Sequence, residues 1–291
     1  AWSGGRLETF RQCPHKFFQQ YVLRLEPPEE SRLEAEARAI GAAVHAALRI
    51  LMEDPAGAAA PPSRARIDAA LAAAEAEVDR VERGEADVWR SLLARAAAYI
   101  DRYFQRLPAG DGALSPEAFE AEFGLGEGGA PGVAIETTLG AVLLRGRIDR
   151  LDRDPATGVL RVVDYKYSES QRQKEAVDPA RCGVDRFQLW SYYLGARSWA
   201  AREGWDEPPG VVGEVHCVRE RKAKVVLAAE ASPPAAKVAA AIAAAVEAAA
   251  AGDFDPAPLD EKRCAWCDYR RSCRIATVSL GPAGGPLEDE E

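Results

Sequence analysis

The sequence predicts an α/β domain in which helices flank a mixed, mostly antiparallel central sheet. Two observations carry that expectation. Apolar residues recur at helical spacing before residue 108 and after residue 232, whereas strand-like alternation dominates much of the stretch from Val133 to Ala228. Within that stretch, segments 139–150 and 159–167 are separated by Asp154-Pro-Ala-Thr-Gly, a turn composition that makes them a hairpin.

The elements follow in order. Ser3 is placed to cap a first helix carrying Leu7, Phe10, Phe17, Phe18 and Tyr21. Residues 32–52 read as a second helix with Ile40, Val44, Leu48 and Leu51 on one face. A breaker segment from Asp54 to Ser63 precedes a long Ala-rich helical region, 64–107, expected to break near Gly84. Residues 108–131, rich in Gly and Pro, read as loop, so a helical insertion is expected over about 54–131. After the hairpin come a helix at 187–202, strands at 211–218 and 224–228, and a helix from Ser232 to Gly252. A Cys-rich segment, 262–274, and an acidic, disordered tail, 280–291, close a chain expected to form one domain over 1–279.

With 291 residues the chain can bury a sizeable core. No apolar run reaches the roughly 20 residues of a membrane span. The first residues lack the basic start and apolar middle of a secretory signal, so a cytoplasmic protein is expected. The chain begins with Ala, which fits a segment of a longer polypeptide. Its net charge of −9, from 37 basic and 46 acidic residues, argues globally against a nucleic-acid binder. The local distribution argues otherwise. Residues 1–25 hold Arg6, Arg11, Lys16 and Arg24 against Glu8, and residues 262–274 hold five basic residues against Asp268. Arg219, Arg221, Lys222 and Lys224 form a third basic run. Such runs can contact the phosphates of a strand.

The hairpin carries Asp149 on its first strand and Asp164-Tyr165-Lys166 on its second. A register centred on Ala156 and Thr157 sets Asp149 opposite Asp164, and alternation puts Asp164 and Lys166 on one face with Tyr165 on the other. Opposed carboxylates repel each other, and a hard divalent cation relieves that repulsion. Lys166 would then sit where a phosphate and its attacking water meet. The competing reading is a solvated hairpin, because D-x-K triplets are common.

Cys264-x2-Cys267-x5-Cys273 places three thiols in one short segment, and Cys13 could supply a fourth if the chain ends meet. Four thiolates suit Zn²⁺ or an iron–sulfur cluster. Zinc sites usually pair two cysteine knuckles, whereas here a distant cysteine completes a triplet. Cys182 and Cys217 have no partner spacing and read as ordinary residues.

Gly146-Arg-Ile-Asp149-Arg-Leu-Asp followed by Val162-Val-Asp-Tyr-Lys166 resembles motifs II and III of the PD-(D/E)xK nuclease superfamily, in its RecB/AddB-like branch. Gly41-Ala-Ala-Val-His45 resembles the branch's upstream histidine motif, Gln188-Leu-Trp-Ser-Tyr192 its Q-x-x-x-Y motif, and Cys13 with Cys264, Cys267 and Cys273 its iron–sulfur ligands. The resemblance implies a restriction-endonuclease-like core and a Mg²⁺- or Mn²⁺-dependent deoxyribonuclease, exonuclease-like but with endonuclease action left open, acting on DNA in repair or recombination. His45, Asp149, Asp164 and the Tyr165 carbonyl would be the metal ligands. Lys166 would act on the phosphate, while Gln188 and Tyr192, four apart on one helix face, would support it. A [4Fe–4S] cluster would staple the chain ends. Arg270, Arg271, Arg219 and Lys222 would contact DNA, expected to be single-stranded, with a helicase subunit or helicase region as partner. The rival expectation is a catalytically silent DNA-binding scaffold that keeps only the cluster.

Overall fold

In the computed structural model, residues 1–26, 32–53, 61–79, 83–107, 115–181, 184–229 and 235–273 are described. The expected acidic tail, Cys182, Arg274 and the Ser232 helix start lie outside them.

Helix α1 (Gly4–Gln12) is capped by Ser3, whose hydroxyl accepts from the Arg6 N–H. The expected continuous helix does not form. Cys13 is extended (φ −166°), and Pro14, which lacks an N–H, starts a new helix, α2 (Pro14–Phe17), that widens into a π-turn at Phe18–Val22. Helix α3 (Arg32–Glu53) matches expectation. The Ala-rich region forms α4 (Arg64–Glu75) and α5 (Ala86–Arg106), with Gly84 between them.

The main correction concerns residues 108–131. Instead of loop throughout, they contain β1 (Ser115–Phe123), a full member of the main sheet, which removes residues from 115 onward from the helical insertion. Two backbone irregularities hide its period in the sequence: a register shift between Pro116 and Ala118, and a positive φ at Glu120. The strand expected over 139–150 also divides. Its first part, β3 (Val142–Leu144), pairs with β2 (Val133–Ile135) in a separate ribbon. The chain then enters β4 (Gly146–Arg153) after Arg145 has donated its N–H to the Trp2 carbonyl.

β4 and β5 (Leu160–Lys166) form the expected hairpin. The Asp154 carboxylate accepts from the Ala156 N–H and the Thr157 hydroxyl, and Gly158 takes the positive φ (74°) that closes the turn. From β5 the chain passes through α6 (Gln188–Arg202) to β6 (Val211–Cys217), which lies parallel to β5, and then to β7 (Val226–Ala228). The sheet order is β1-β4-β5-β6-β7, with β5–β6 its parallel pair.

Alternation along β5 sends Val162 to one face, into a core with α1, α6 and α7 (Ala235–Ala250), and Val163 and Tyr165 to the other, against α3, α4 and α5. Catalytic candidates therefore sit on a strand clamped on both faces. Among the described residues no helix is long and apolar enough to cross a membrane.

Candidate active site

The β4–β5 ladder runs from Arg153↔Leu160 to Arg150↔Val163 and stops there. The next pair in that register is Asp149 and Asp164. At this point the strands part, and an Asp149 carboxylate oxygen accepts the Tyr165 N–H at 2.8 Å. On the other flank, β1–β4 pairing is interrupted between Phe119↔Arg150 and Ala121↔Ile148. The residue at that gap is Glu120, level with Asp149. Three carboxylates on neighbouring strands thus occupy one row, Glu120, Asp149 and Asp164.

Their electrostatics follow from the crowding. Burial, then the nearby Asp164 charge, holds the Asp149 carboxyl well above its usual range. Glu120 is also pushed up by burial, against the opposing pull of Arg147, which pairs with it at 2.7 Å. Asp164, which is buried, is met by Lys166, whose Nζ lies 2.9 and 2.8 Å from its two oxygens. Burial favours neutral lysine, but the Asp164 carboxylate outweighs it and keeps the ammonium charged above its usual range.

α3 brings His45 to the same row, with Nδ1 3.4 Å from an Asp149 oxygen and the side chain 29 % exposed. Burial lowers its pKa, so the imidazole is neutral, the form that ligates metals. From α6, Gln188 accepts from Lys166 Nζ at 3.2 Å and donates to Asp164 at 3.3 Å and to the Tyr192 hydroxyl at 2.9 Å. His45, Asp149, Asp164, Lys166, Gln188 and Tyr192 thus converge on one site. The Tyr165 ring points into the opposite core, edge-on to His45 at 6.1 Å, and its hydroxyl is 3.4 Å from Arg150.

Hard oxygens plus a neutral imidazole are donors of the type Mg²⁺ and Mn²⁺ accept, and the crowded carboxylates gain from a cation. Among the described residues, however, no three His, Cys, Asp or Glu side chains stand close enough to hold a metal ion without rearrangement. Lys166 and the Tyr165 N–H occupy the carboxylate oxygens instead.

Sequence reasoning missed two residues. Glu120 was hidden with its strand. Glu8, the lone acid of the basic first segment, crosses to α6 and accepts the N–H groups of Phe187 and Gln188, both at 2.8 Å. It caps that helix where no local side chain does. Its isolation among basic residues was the available signal.

The four expected cysteines line one cavity of about 220 Å³, together with His15, Lys16 and Arg270. Chain ends are knitted around it by Lys16–Asp268 (3.0 Å), by Tyr269 hydroxyl donation to the Leu25 carbonyl, and by Phe18 stacked on Phe254 (5.0 Å). Burial raises the Cys13 thiol pKa. Cys217 stands apart, buried in β6 with its thiol pushed up to about 12. Arg270 and Arg271 are exposed beside the cysteines, while Arg219 and Lys222 are exposed on the turn after β6.

The family model described as the PD-(D/E)XK nuclease superfamily matches residues 1–274. Similar proteins include a subunit of the ATP-dependent helicase/deoxyribonuclease of Moorella thermoacetica, 29 % identical over 187 residues, which are 59 % of this chain and 16 % of that protein. The like-named proteins of Symbiobacterium thermophilum and Bacillus licheniformis are each 30 % identical, over 56 % and 57 % of this chain and 15 % of each relative. The chain spans about a sixth of the length of these curated relatives.

Proposed function

The chain belongs to the PD-(D/E)XK nuclease superfamily, and from that premise we propose that it is a Mg²⁺- or Mn²⁺-dependent deoxyribonuclease cutting single-stranded DNA in repair or recombination. The carrying observation is the convergence of Asp149, Asp164, Lys166 and His45 where β4 and β5 part. Asp149, Asp164, His45 and the Tyr165 carbonyl would hold the cation. When bound, it would supply a Lewis acid that lowers the pKa of an attacking water and draws charge off the phosphate.

The chain's own side chains do the rest. Lys166, kept cationic, exchanges its Asp164 partner for a non-bridging phosphate oxygen and stabilises the negative charge that builds on the phosphoryl oxygens. Gln188 fixes the ammonium through its carbonyl and Asp164 through its amide, so one side chain sets the spacing of both. Tyr192 holds the Gln188 amide in that orientation. Glu120, level with Asp149, adds negative charge that strengthens cation binding.

At the chain ends, Cys13, Cys264, Cys267 and Cys273 line one cavity without forming a ready-made metal-binding group, and drawn together they would hold a [4Fe–4S] cluster as structural staple. Arg270, Arg271, Arg219 and Lys222 would carry phosphate contacts. The relatives' names describe a helicase/deoxyribonuclease, and a helicase region or helicase-bearing protein is the proposed partner.

Degradation of end-labelled single- and double-stranded DNA with Mg²⁺, Mn²⁺ or EDTA tests the activity. Cation-dependent cleavage, lost in Asp164→Asn, is expected. Cleavage equally fast in that variant would overturn the assignment, and binding without cleavage under every cation would favour a silent scaffold. Anaerobically purified protein should be brown with about four irons per chain. Stoichiometric zinc without iron would replace the cluster with a Zn²⁺ site.

A further inference from the structure

Immediately past the catalytic strand lies a cluster of aromatic rings and guanidinium groups that the site above does not use. β5 and β6 run parallel, so both deliver their carboxyl ends to the same edge. Lys166 ends β5, Tyr167 follows it, and the turn Val218–Lys222 follows β6. The two exits are pinned together by Val218 N–H donating to the Lys166 carbonyl (2.9 Å) and Arg219 N–H to the Ser168 carbonyl (3.2 Å). From the helical side, α5 contributes Tyr99, whose ring meets Tyr167 edge-on at 6.1 Å.

Three guanidiniums converge on these rings. Arg219 lies 5.8 Å from the Tyr99 centroid and 5.4 Å from that of Tyr167, Arg221 lies 5.1 Å from Tyr99, and Arg102 lies 5.6 Å from it. Arg221 also donates to the Tyr99 hydroxyl. Among the described residues no carboxylate is ion-paired with Arg219 or Arg221, and Arg102 Nη1 is buried without a hydrogen-bond partner. The acid nearest in sequence, Glu220, is turned inward and held by the N–H groups of Ser170, Lys222 and Ala223. Converging like charges repel, and the rings offset only part of that repulsion. An anion set between the exposed Arg219 and Arg221 would remove it.

We infer that Tyr167, Arg219 and Arg221, braced by Tyr99 and Arg102, form a nucleotide subsite of an unpaired DNA strand, next to the scissile phosphate. A phosphate lies between Arg219 and Arg221, and its base stacks on the Arg219–Tyr167 face. This rests on the nuclease reading and deepens it by naming how the strand is held. Stacking requires an open base face, which a duplex does not offer, so the subsite selects unpaired DNA. It also makes α5, in the helical insertion, part of the substrate path.

The test is fluorescence anisotropy of a labelled single-stranded oligonucleotide and of a duplex of equal length, in EDTA to prevent cleavage, over a salt series. Arg219→Gln with Arg221→Gln should weaken strand binding and make the log–log salt slope shallower by roughly 1.4, two phosphate contacts at about 0.7 each. Tyr167→Leu should weaken binding about tenfold with the slope unchanged, because stacking releases no counterions. Arg221→Lys should keep the slope. If the double variant does not fold by circular dichroism, Arg221→Gln alone decides, with a change of about 0.7 expected. Wild-type affinity and slope in the folded arginine variants, or equal losses on duplex and single strand in Tyr167→Leu, would overturn the subsite. Parallel cleavage assays separate the two readings. Cleavage with unchanged variant slopes removes the subsite and leaves the nuclease, whereas the expected slopes without cleavage under any cation remove the nuclease and leave the subsite.

Discussion

The hairpin site and the cysteine corner are built in opposite ways. Asp149, Asp164 and Lys166 stand on strands whose alternate side chains enter two separate cores, so their positions are set by packing that does not involve them. Cys13, Cys264, Cys267 and Cys273 stand on an extended junction, a 3₁₀ turn at Glu261–Trp266 and irregular chain, with Trp266 89 % exposed. There the local fold has little regular structure of its own, and ligation would add to the stacking and ion pair that join its parts. One region would carry chemistry on a frame that would survive without it. The other would be a frame made by its chemistry.

The sharpest way to test that contrast is at the hairpin. Asp164→Asn or Lys166→Ala should lower cleavage by about 10²–10³-fold or more, with thermal midpoint and iron content at wild-type values. A large drop in midpoint would mean that the Asp164–Lys166 pair also supports the fold. Chelation should abolish cleavage as completely, with recovery on adding Mg²⁺ or Mn²⁺.

Cys13→Ala should do the reverse. The expected result is loss of visible absorbance and loss of hydrogen-exchange protection in residues 1–25 and 254–273, while β4 and β5 stay protected. Unchanged protection would show that Lys16–Asp268 and the Phe18–Phe254 stack suffice to hold the corner.

Glu8→Gln should give a smaller effect that crosses the divide. Losing a charged cap on α6 costs about 1 kcal/mol, a fall in midpoint of roughly 2–4 °C for a chain of this size. Because Gln188 is one of the two capped residues, kcat should fall with it, whereas a substitution that only softened the fold would leave kcat alone.

The smallest effect on cleavage belongs to Glu220. Its carboxylate is held down to about 2 by the Ser170 hydroxyl and by the Ala223, Lys222 and Ser170 N–H groups. A depressed carboxyl contributes stability that is present above its ordinary value of 4.5 and is lost as pH falls toward 2. Glu220→Gln should therefore lower the midpoint slightly at pH 7 and flatten its decline between about pH 4.5 and 2. An identical acid profile in the variant would remove Glu220 from that account.

Much of this could be read from residues alone, for reasons that also mark where reading stops. Asp154-Pro-Ala-Thr-Gly fixes the hairpin turn locally, and turn plus period set Asp149 level with Asp164. Cysteine spacing is likewise a local signal, and it led to one cavity. β1 was lost because its register shift and the positive φ at Glu120 break the alternation by which strands are recognised, and Glu120 was lost with it. The splitting of the first helix followed from Pro14, a signal present but outweighed by the aromatic spacing. Glu8 capping a helix some 180 residues away leaves only its isolation among basic residues as a sign, and that sign does not name the partner.

Helix α1 joins the two regions that are otherwise built so differently. At its start a Cβ on Gly4 would lie 2.7 Å from the Gln188 Cα, its middle supplies the Glu8 cap, and its last turn leads into Cys13. Nine residues at 1.5 Å each make a rod of about 13 Å. With Gly4, Leu7 and Phe10 buried along it, such a rod is held over its length and would pass a displacement at one end on to the other. A tilt begun at Cys13 would swing Glu8 away from Gln188 and so loosen Lys166. The corner that holds the ends of the chain would thereby also be a lever on the lysine.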